Sequence, residues 1–466
     1  MRRHRPAAWI AIGLALFAVA CRTPGAAPAT GGEPSAAAIQ RAGDEIVARY
    51  GGVYEDPAVQ AYVEGVGARI IAQTPLSPAG IRFVIVDTDA VNAYAIPGAT
   101  IFLTRGLLIW LNSEAQLAGV IAHEVAHLTE RHVAQARGAA EDESAAGSGA
   151  DDAAAARLRA YSRHQELEAD RVGLGFLVAA GYPGAAMRDS QLQFDAVEEI
   201  GRLERGVSAP MLALDEAMAT HPSSAERTAA LAHAPEFAAS GDVGRERYLA
   251  AIDGIPFGPN SGDWQVHGDR IVHPAAGIEF TRPADFALAG SAGVVSGSGP
   301  GQSALVLDFV SRDPATTPAA YLNRAFSRLG SAPAETRLIG GFPAAVGSAS
   351  RRDEGQHWFS VVSSIGIRET ALLRVMAVAP AESAGVVRDA MGRVLQSLRR
   401  TDAGASVPGR RIAIHTVAAG ETATSLADRM AVHDALPGHA LALFLALNDL
   451  DPQATPEPGS TVKLVR

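Results

Sequence analysis

The sequence predicts an α+β protein in three parts, and three observations carry that prediction. Helical periodicity, with apolar residues three and four apart, begins near Ala37 and recurs to about Ala239, with two short strand-like runs inside it. After about Asp253 the pattern changes to short alternating runs such as GIEFTRP, SALVLDFV, HWFSVVSSIGI and ALLRVMAVAP, accompanied by two helical patterns. A segment with glycine and proline, TDAGASVPG (401–409), then precedes a last stretch that reads strand, helix, helix, strand. The expected divisions are a mainly helical domain with a small sheet at 37–240, an α+β sheet domain at 254–400, and a small βααβ module at 411–466. A chain of 466 residues is long enough to supply each with a core.

The N-terminus precedes this pattern. MRRHRPAAWIAIGLALFAVAC carries Arg2, Arg3 and Arg5, then an apolar run from Ala7 to Ala20 that is short for a permanent membrane span. Ala18-Val19-Ala20 is a small-residue cleavage pattern, and Cys21, the only cysteine, follows it directly, so the mature chain forms no internal disulfide. Two readings stand here. One is an ordinary signal peptide (1–21) with an incidental cysteine, which delivers a soluble periplasmic protein. The other resembles the lipobox of bacterial lipoproteins, although Ala18 stands where leucine is usual. That resemblance implies lipidation of Cys21, a membrane anchor made of acyl chains and, with Arg22 next, a place on the periplasmic side of the outer membrane. Residues 22–36, rich in Pro, Gly and Ala, read as a flexible tether.

Composition narrows the partners. The chain is 48% hydrophobic and 19% charged, with a formal charge of −10 and no basic block beyond its first residues, which argues against nucleic acid. Lys463 is the only lysine.

Within the helical part, IRFVIVD (Ile81–Asp87) and TIFLT (Thr100–Thr104) read as the strands of a hairpin. The chemistry lies in VIAHEVAHLTERH (Val120–His132). Ser113 with Gln116 is a capping-box start, and Leu117, Val120, Ile121, Val125 and Leu128 form an apolar stripe, so a helix is expected from about Glu114 to Arg137. His123 and His127 then project from one face a turn apart, as two ligands of one zinc ion do, with Glu124 beside them to accept a proton from water at the metal. The alternative is a solvated His-Glu-His face on an amphipathic helix. A catalytic zinc site needs a third protein ligand. YSRHQELEADRVG (Tyr161–Gly173) offers Glu166 and Asp170 four apart on one helical face, with Glu168 on the opposite, solvent-facing side. Glu166 is assigned as the third ligand, and Asp170 as the acceptor that fixes the tautomer of a ligand histidine. That helix closes at Gly181-Tyr182-Pro183.

These residues, in the form HEVAH…ELEAD, resemble the zinc metalloprotease family of the CAAX prenyl endopeptidases and the bacterial HtpX and BepA proteases. NAYAIPGATIFLTRGLL (Asn92–Leu108) is similar to the strand and turn that precede the zinc helix in that family, ERH (Glu130–His132) continues the motif helix, and THPSSAER (Thr220–Arg227) resembles its Thr-His-Pro segment. The resemblance covers about Ala37 to Ala239 and implies a gluzincin-type fold holding one Zn(2+) per chain. It implies that substrate adds a strand along the edge at Asn92, Ala93, Tyr94 and Ala95. Pro222 holds His221 in extended backbone ahead of a Ser223/Glu226 capping box. The resemblance gives His221 contact with the oxyanion or the open metal position of a closed state, and gives Arg227 the orientation of substrate or of the loop; a plain helix-leader role for His221 stays open. His132 is left between a surface and a supporting place near the metal.

The segment 254–400 faintly resembles PsbP- or Mog-type sandwiches and shows no catalytic constellation; GSGPG (Gly297–Gly301) does not open a helix after a strand, which speaks against a phosphate loop. HTVAAGETATSLADRM…FLALNDL…PGSTVKLV resembles a LysM module, with longer spacing around Asp434–His439, and so implies binding to peptidoglycan or, alternatively, only packing on a neighbour. The expectation is a periplasm-facing, lipid-anchored zinc endopeptidase acting on misfolded, misassembled or stalled envelope proteins. Its rival is a chaperone-like or peptidoglycan-binding scaffold with a closed zinc site.

Overall fold

A computed structural model describes residues 40–466 except 42, 45, 48–50, 78–79, 97–99, 133–151, 206–224, 292, 327–333, 354–355, 402–408 and 433–437. Cys21, the tether, His221 and most of the acidic stretch before Asp152 therefore lie outside the described residues. Among the described residues no helix is long and apolar enough to cross a membrane.

Helix α1 (Pro57–Ile71) begins on Asp56, whose carboxylate accepts from the amides of Ala58 and Val59, with proline in the first turn where no N–H is needed. Strands β1 (Arg82–Val86), β2 (Ala93–Ile96) and β3 (Thr100–Thr104) form a sheet in the order β1-β3-β2. The expected hairpin of Ile81–Asp87 with Thr100–Thr104 is corrected here. β1 runs parallel to β3, and the antiparallel partner of β3 is β2. Every residue of β3 is buried, so it takes the central place and needs a strand on each side.

Helices α2 (Arg105–Trp110) and α3 (Glu114–Thr129) follow. Ser113 accepts from Gln116 N at 3.2 Å, and the Gln116 side chain accepts from Asn112 N at 2.6 Å, which together fix the start of α3. Glu114 through His127 are all buried, so α3 is an enclosed core helix and not an amphipathic surface helix. It stops at Thr129, earlier than expected, because Arg131 adopts left-handed backbone (φ 58°) and breaks the helix. Helices α4 (Asp152–Ala179) and α5 (Ala185–Arg205) pack on α3, followed by α6 (Ala225–His233) and α7 (Arg245–Ile252). α4 closes where Gly181 takes φ 87° and its amide reaches Val178 O at 2.9 Å.

At β4 (Pro256–Phe257) the chain leaves this body and builds an antiparallel domain. β5 (Gln265–His267), β6 (Arg270–His273), β7 (Ile278–Thr281) and the late β15 (Arg399–Arg400) make a four-stranded sheet ordered β15-β7-β6-β5. β8 (Ala287–Ser291), β9 (Val294–Gly299), β10 (Ser303–Ser311), β11 (Glu335–Ile339), β12 (Phe342–Asp353), β13 (Gln356–Arg368) and β14 (Ala371–Pro380) form a seven-stranded sheet ordered β11-β12-β13-β14-β10-β9-β8. Helix α9 (Ala384–Ser397) covers one face of the large sheet, and α8 (Pro318–Phe326), whose Leu322 is fully buried, covers the other. Gly297–Gly301 is the end of β9 and the turn into β10.

The chain returns through β16 (Arg410–Thr416), α10 (Ala423–Ala427), α11 (His439–Leu447) and β17 (Thr461–Val465). β16 pairs with β17 and also with β4, so the outgoing and returning segments are clasped together. This last stretch is not set apart from the body. Ile412, Leu426, Phe444, Val462 and Leu464 belong to one apolar cluster with Ile70, Ile121 and Leu174. Lys463 is buried and donates to the carbonyls of Ile109 and Leu111 at 2.8 and 2.9 Å, satisfying the C-terminal end of α2. Arg105, also buried, ties Asp87 at 2.6 Å to the carbonyls of Pro256 and Gly258 at the junction.

Candidate metal centre

The buried helix α3 crosses one face of α4 to make the site. α3 carries His123, Glu124 and His127; α4 carries Glu166, Asp170 and Gly173 on one face. Gly173 permits the crossing, because a Cβ there would lie 2.8 Å from the carbonyl oxygen of Ala122. The solvated-face alternative fails on burial, since His123, Glu124 and His127 are each 7% exposed or less.

The Nε2 atoms of His123 and His127 lie 3.0 Å apart, and Glu166 places Oε2 3.4 Å from the first and Oε1 3.4 Å from the second. Donors bound to one tetrahedral zinc at about 2.0–2.1 Å would lie roughly 3.3 Å from one another. The chemistry of the set agrees with the spacing: two imidazoles and a carboxylate, all three buried, converge on one point. Three carboxyl groups (Glu124, Glu166, Asp170) surround a single guanidinium, a balance that favours a cation.

The surrounding bonds hold these donors. His123 Nδ1 lies 2.9 Å from Asp170 Oδ1. Arg227 grips both carboxylate oxygens of Asp170, with Nε at 2.7 Å from one and Nη2 at 2.8 Å from the other, and sets Nη1 3.0 Å from Glu166. Gln191 adds a bond to Asp170 at 3.1 Å. Arg227 is thus directed into the crossing of the helices, where it clamps the acids that face His123. Burial alone would lower the pKa of His123, but the bonds and charges of Asp170 and then Glu166 outweigh it and raise it to about 10. Burial pushes Asp170 the other way, yet the bonds from Arg227 and His123 hold it well below the usual carboxylate range.

Glu168 corrects an expectation. It is not simply solvent-facing: its carboxylate lies 3.3 Å from His132 Nε2, and His132 Nδ1 lies 3.0 Å from His127 Nδ1. Sequence reasoning missed this contact and that of Gln191. The spacing from His127 to His132 does not fall on one face of a continuous helix, and the turn at Arg131 has neither glycine nor proline to announce it.

Beside the site, β2 is the edge strand of its sheet and runs against α3. Asn92 is buried and locked to Thr104, its amide donating to Oγ1 and its carbonyl accepting from the Thr104 amide, both at 3.0 Å. Ala93, Tyr94 and Ala95 follow it along the edge, with Tyr94 stacked on Phe102 at 5.4 Å. His221, expected at the oxyanion, lies outside the described residues.

Residues 57–234 match the sequence model of peptidase family M48. The chain is similar to a putative beta-barrel assembly-enhancing protease of Vibrio cholerae serotype O1, at 32% identity over 157 residues, covering 29% of this chain and 32% of that protein. It is similar to the beta-barrel assembly-enhancing protease of Escherichia coli K12, at 28% identity over 28% of this chain and 32% of that one. It is also similar to the mitochondrial metalloendopeptidase OMA1 of Arabidopsis thaliana, at 32% identity over 32% of this chain and 30% of the relative. The chain thus spans about a third of the length of these relatives.

Proposed function

The segment 57–234 is a peptidase family M48 domain, and from that premise we propose that this protein is a zinc-dependent endopeptidase of the bacterial envelope. The observation that carries the reading is the convergence of His123, His127 and Glu166 on one point, with Glu124 on the same helix turn. His123, His127 and Glu166 would hold a zinc ion, which when bound would supply Lewis acidity toward the scissile carbonyl and water. Glu124 takes the proton from the attacking water and returns it to the leaving amine. Asp170 and Arg227 hold His123 and Glu166 in the productive orientation. A peptide adds as a strand to the β2 edge, where Ala93–Ala95 present backbone groups and the alternation of side chains sets specificity. His221 steadies the oxyanion in this reading.

Misfolded or stalled envelope proteins are the substrates in this reading; the bacterial relatives are named as proteases that enhance beta-barrel assembly. Lipidation at Cys21 on the periplasmic side of the outer membrane, and a LysM-like glycan-binding role for residues 411–466, belong to the same proposal and rest on sequence resemblance. Exchanging Cys21 for serine is expected to move the protein from the membrane to the soluble fraction or to leave it unprocessed; a wild type that is soluble and unacylated would overturn that part.

The test of the central reading compares wild type with Glu124→Gln on casein and on an unfolded outer-membrane protein. Wild type is expected to cleave and the variant to retain its metal without cleaving. Equal cleavage by both removes Glu124 as the base, and no cleavage by the zinc-loaded wild type favours the scaffold reading.

A further inference from the structure

The two histidines of the metal centre are supported by different devices. His123 faces a carboxylate directly, Asp170, at 2.9 Å. His127 has an imidazole in the equivalent place: Nδ1 of His132 at 3.0 Å, with Nε2 of His132 3.3 Å from Glu168. We propose that His132 is the positioning residue for His127, and that Glu168 anchors it, so that the ligand is oriented through an imidazole relay and not by direct contact with an acid.

The hydrogen positions follow by exclusion. His127 presents Nε2 to the site, where it meets His123 Nε2 at 3.0 Å and Glu166 at 3.4 Å, so its lone pair belongs on Nε2 and its hydrogen on Nδ1. That N–H donates to Nδ1 of His132, which must be the acceptor because two hydrogens do not fit between nitrogens at 3.0 Å. The remaining hydrogen of His132 is then on Nε2, where it donates to Glu168. Each link has one donor and one acceptor, and the chain ends on a carboxylate.

The backbone is arranged for this contact. α3 ends at Thr129, the left-handed Arg131 turns the chain, and the Gln165 side chain donates to the carbonyl of His132 at 3.1 Å. Gln165, Glu166 and Glu168 share one helix, so the segment that brings the metal-binding acid also fixes both ends of the relay. His132 is only 2% exposed. A buried imidazole beyond the end of the motif helix, with both nitrogens engaged, has an orienting task toward His127.

This inference rests on the site being a metal centre, but not on peptidase activity. The test measures zinc affinity of the full-length protein by chelator competition, together with the visible spectrum of the cobalt-substituted form and the melting temperature without metal. H132A is expected to bind zinc about 10–100-fold more weakly than wild type. H132Q, which can accept from His127 and donate to Glu168, is expected to recover most of the affinity, and E168Q to lose less than H132A. The metal-free melting temperatures should stay together while the cobalt spectrum of H132A shifts. If H132A binds zinc as wild type does, or if H132Q is as weak as H132A, the relay is wrong. Should H132A fail to fold, an H132Q that folds but binds zinc about 10-fold or more weakly than wild type would overturn it. A wild type that binds no zinc would remove the metal reading itself.

Discussion

The helical body and the inserted sheet domain enclose similar apolar side chains but very different charges. In the body Arg105, Glu114, Glu124, Glu166, Asp170, Arg227 and Lys463 are buried; between Gly258 and Arg400, Glu279 is the one buried charged residue among those described. Glu279 is bonded by Arg270 and Arg399, which both reach solvent, whereas Asp170 and Arg227 are enclosed together. Burying charge is costly unless each group is paired. The body carries that cost where it must hold a cation or tie distant segments, and the sheet domain, with neither task, is built almost entirely from apolar packing. Charge burial in this molecule therefore marks the candidate metal centre and the places where distant segments are tied together.

The comparison can be broken most severely at Glu124. Glu124→Gln is expected to reduce peptide cleavage about 10²–10⁴-fold while metal content stays at one equivalent, read by a peptide assay and metal analysis. Next, Arg227→Met leaves Asp170 and Glu166 facing each other without their cation, and should destabilise the metal-free protein by about 3–5 kcal/mol in denaturant unfolding. Gly173→Ala pushes a methyl group against the Ala122 carbonyl and should cost about 1–3 kcal/mol, with weaker metal binding because the two helices separate. In the sheet domain, Ser363→Ala removes a buried bond to Ala345 O at 3.1 Å and should cost about 1 kcal/mol, with no change in metal affinity.

Acid sharpens the same contrast. Burial alone would raise the pKa of Glu114, but its bonds to Arg247, Tyr62 and Tyr182 outweigh that and lower it from 4.5 to about 2. A carboxylate depressed on folding stabilises fully above its unfolded value and loses that contribution as pH falls from about 4.5 toward 2. Thermal unfolding of the wild type across that window should therefore lose stability that Glu114→Gln, lacking the titration, does not lose.

Much of the candidate site was legible because its signals are local. His123 and His127, like Glu166 and Asp170, stand one helical turn apart, so a helix assignment alone sets each pair on one face. Burial, which separates a metal centre from a solvated face, needed the packing of α4 and α5 on α3. Long-range features stayed hidden. The parallel pairing of β1 with β3 depends on β2 inserting as the second neighbour of β3, and alternation in the sequence carries no information on strand direction. His132 eluded helical spacing because the helix breaks at the left-handed Arg131. The union of residues 410–465 with the body rests on contacts such as Lys463 with Ile109, which no local pattern encodes.

The clasp of β4 with β16 has a consequence in time. A ribosome makes Ile109 long before Lys463, and the whole sheet domain is synthesised between them. Through that interval the end of α2 lacks the Lys463 side chain that caps it, and the apolar cluster that backs the motif helix lacks Ile412, Phe444 and Leu464. Closure of so long a loop is slow relative to local helix formation. The sheet domain, with its own core, can fold meanwhile, whereas a nascent chain halted at Arg400 would present an unfinished peptidase body. The order of synthesis thus delays completion of the body that carries the candidate metal centre until β17 arrives.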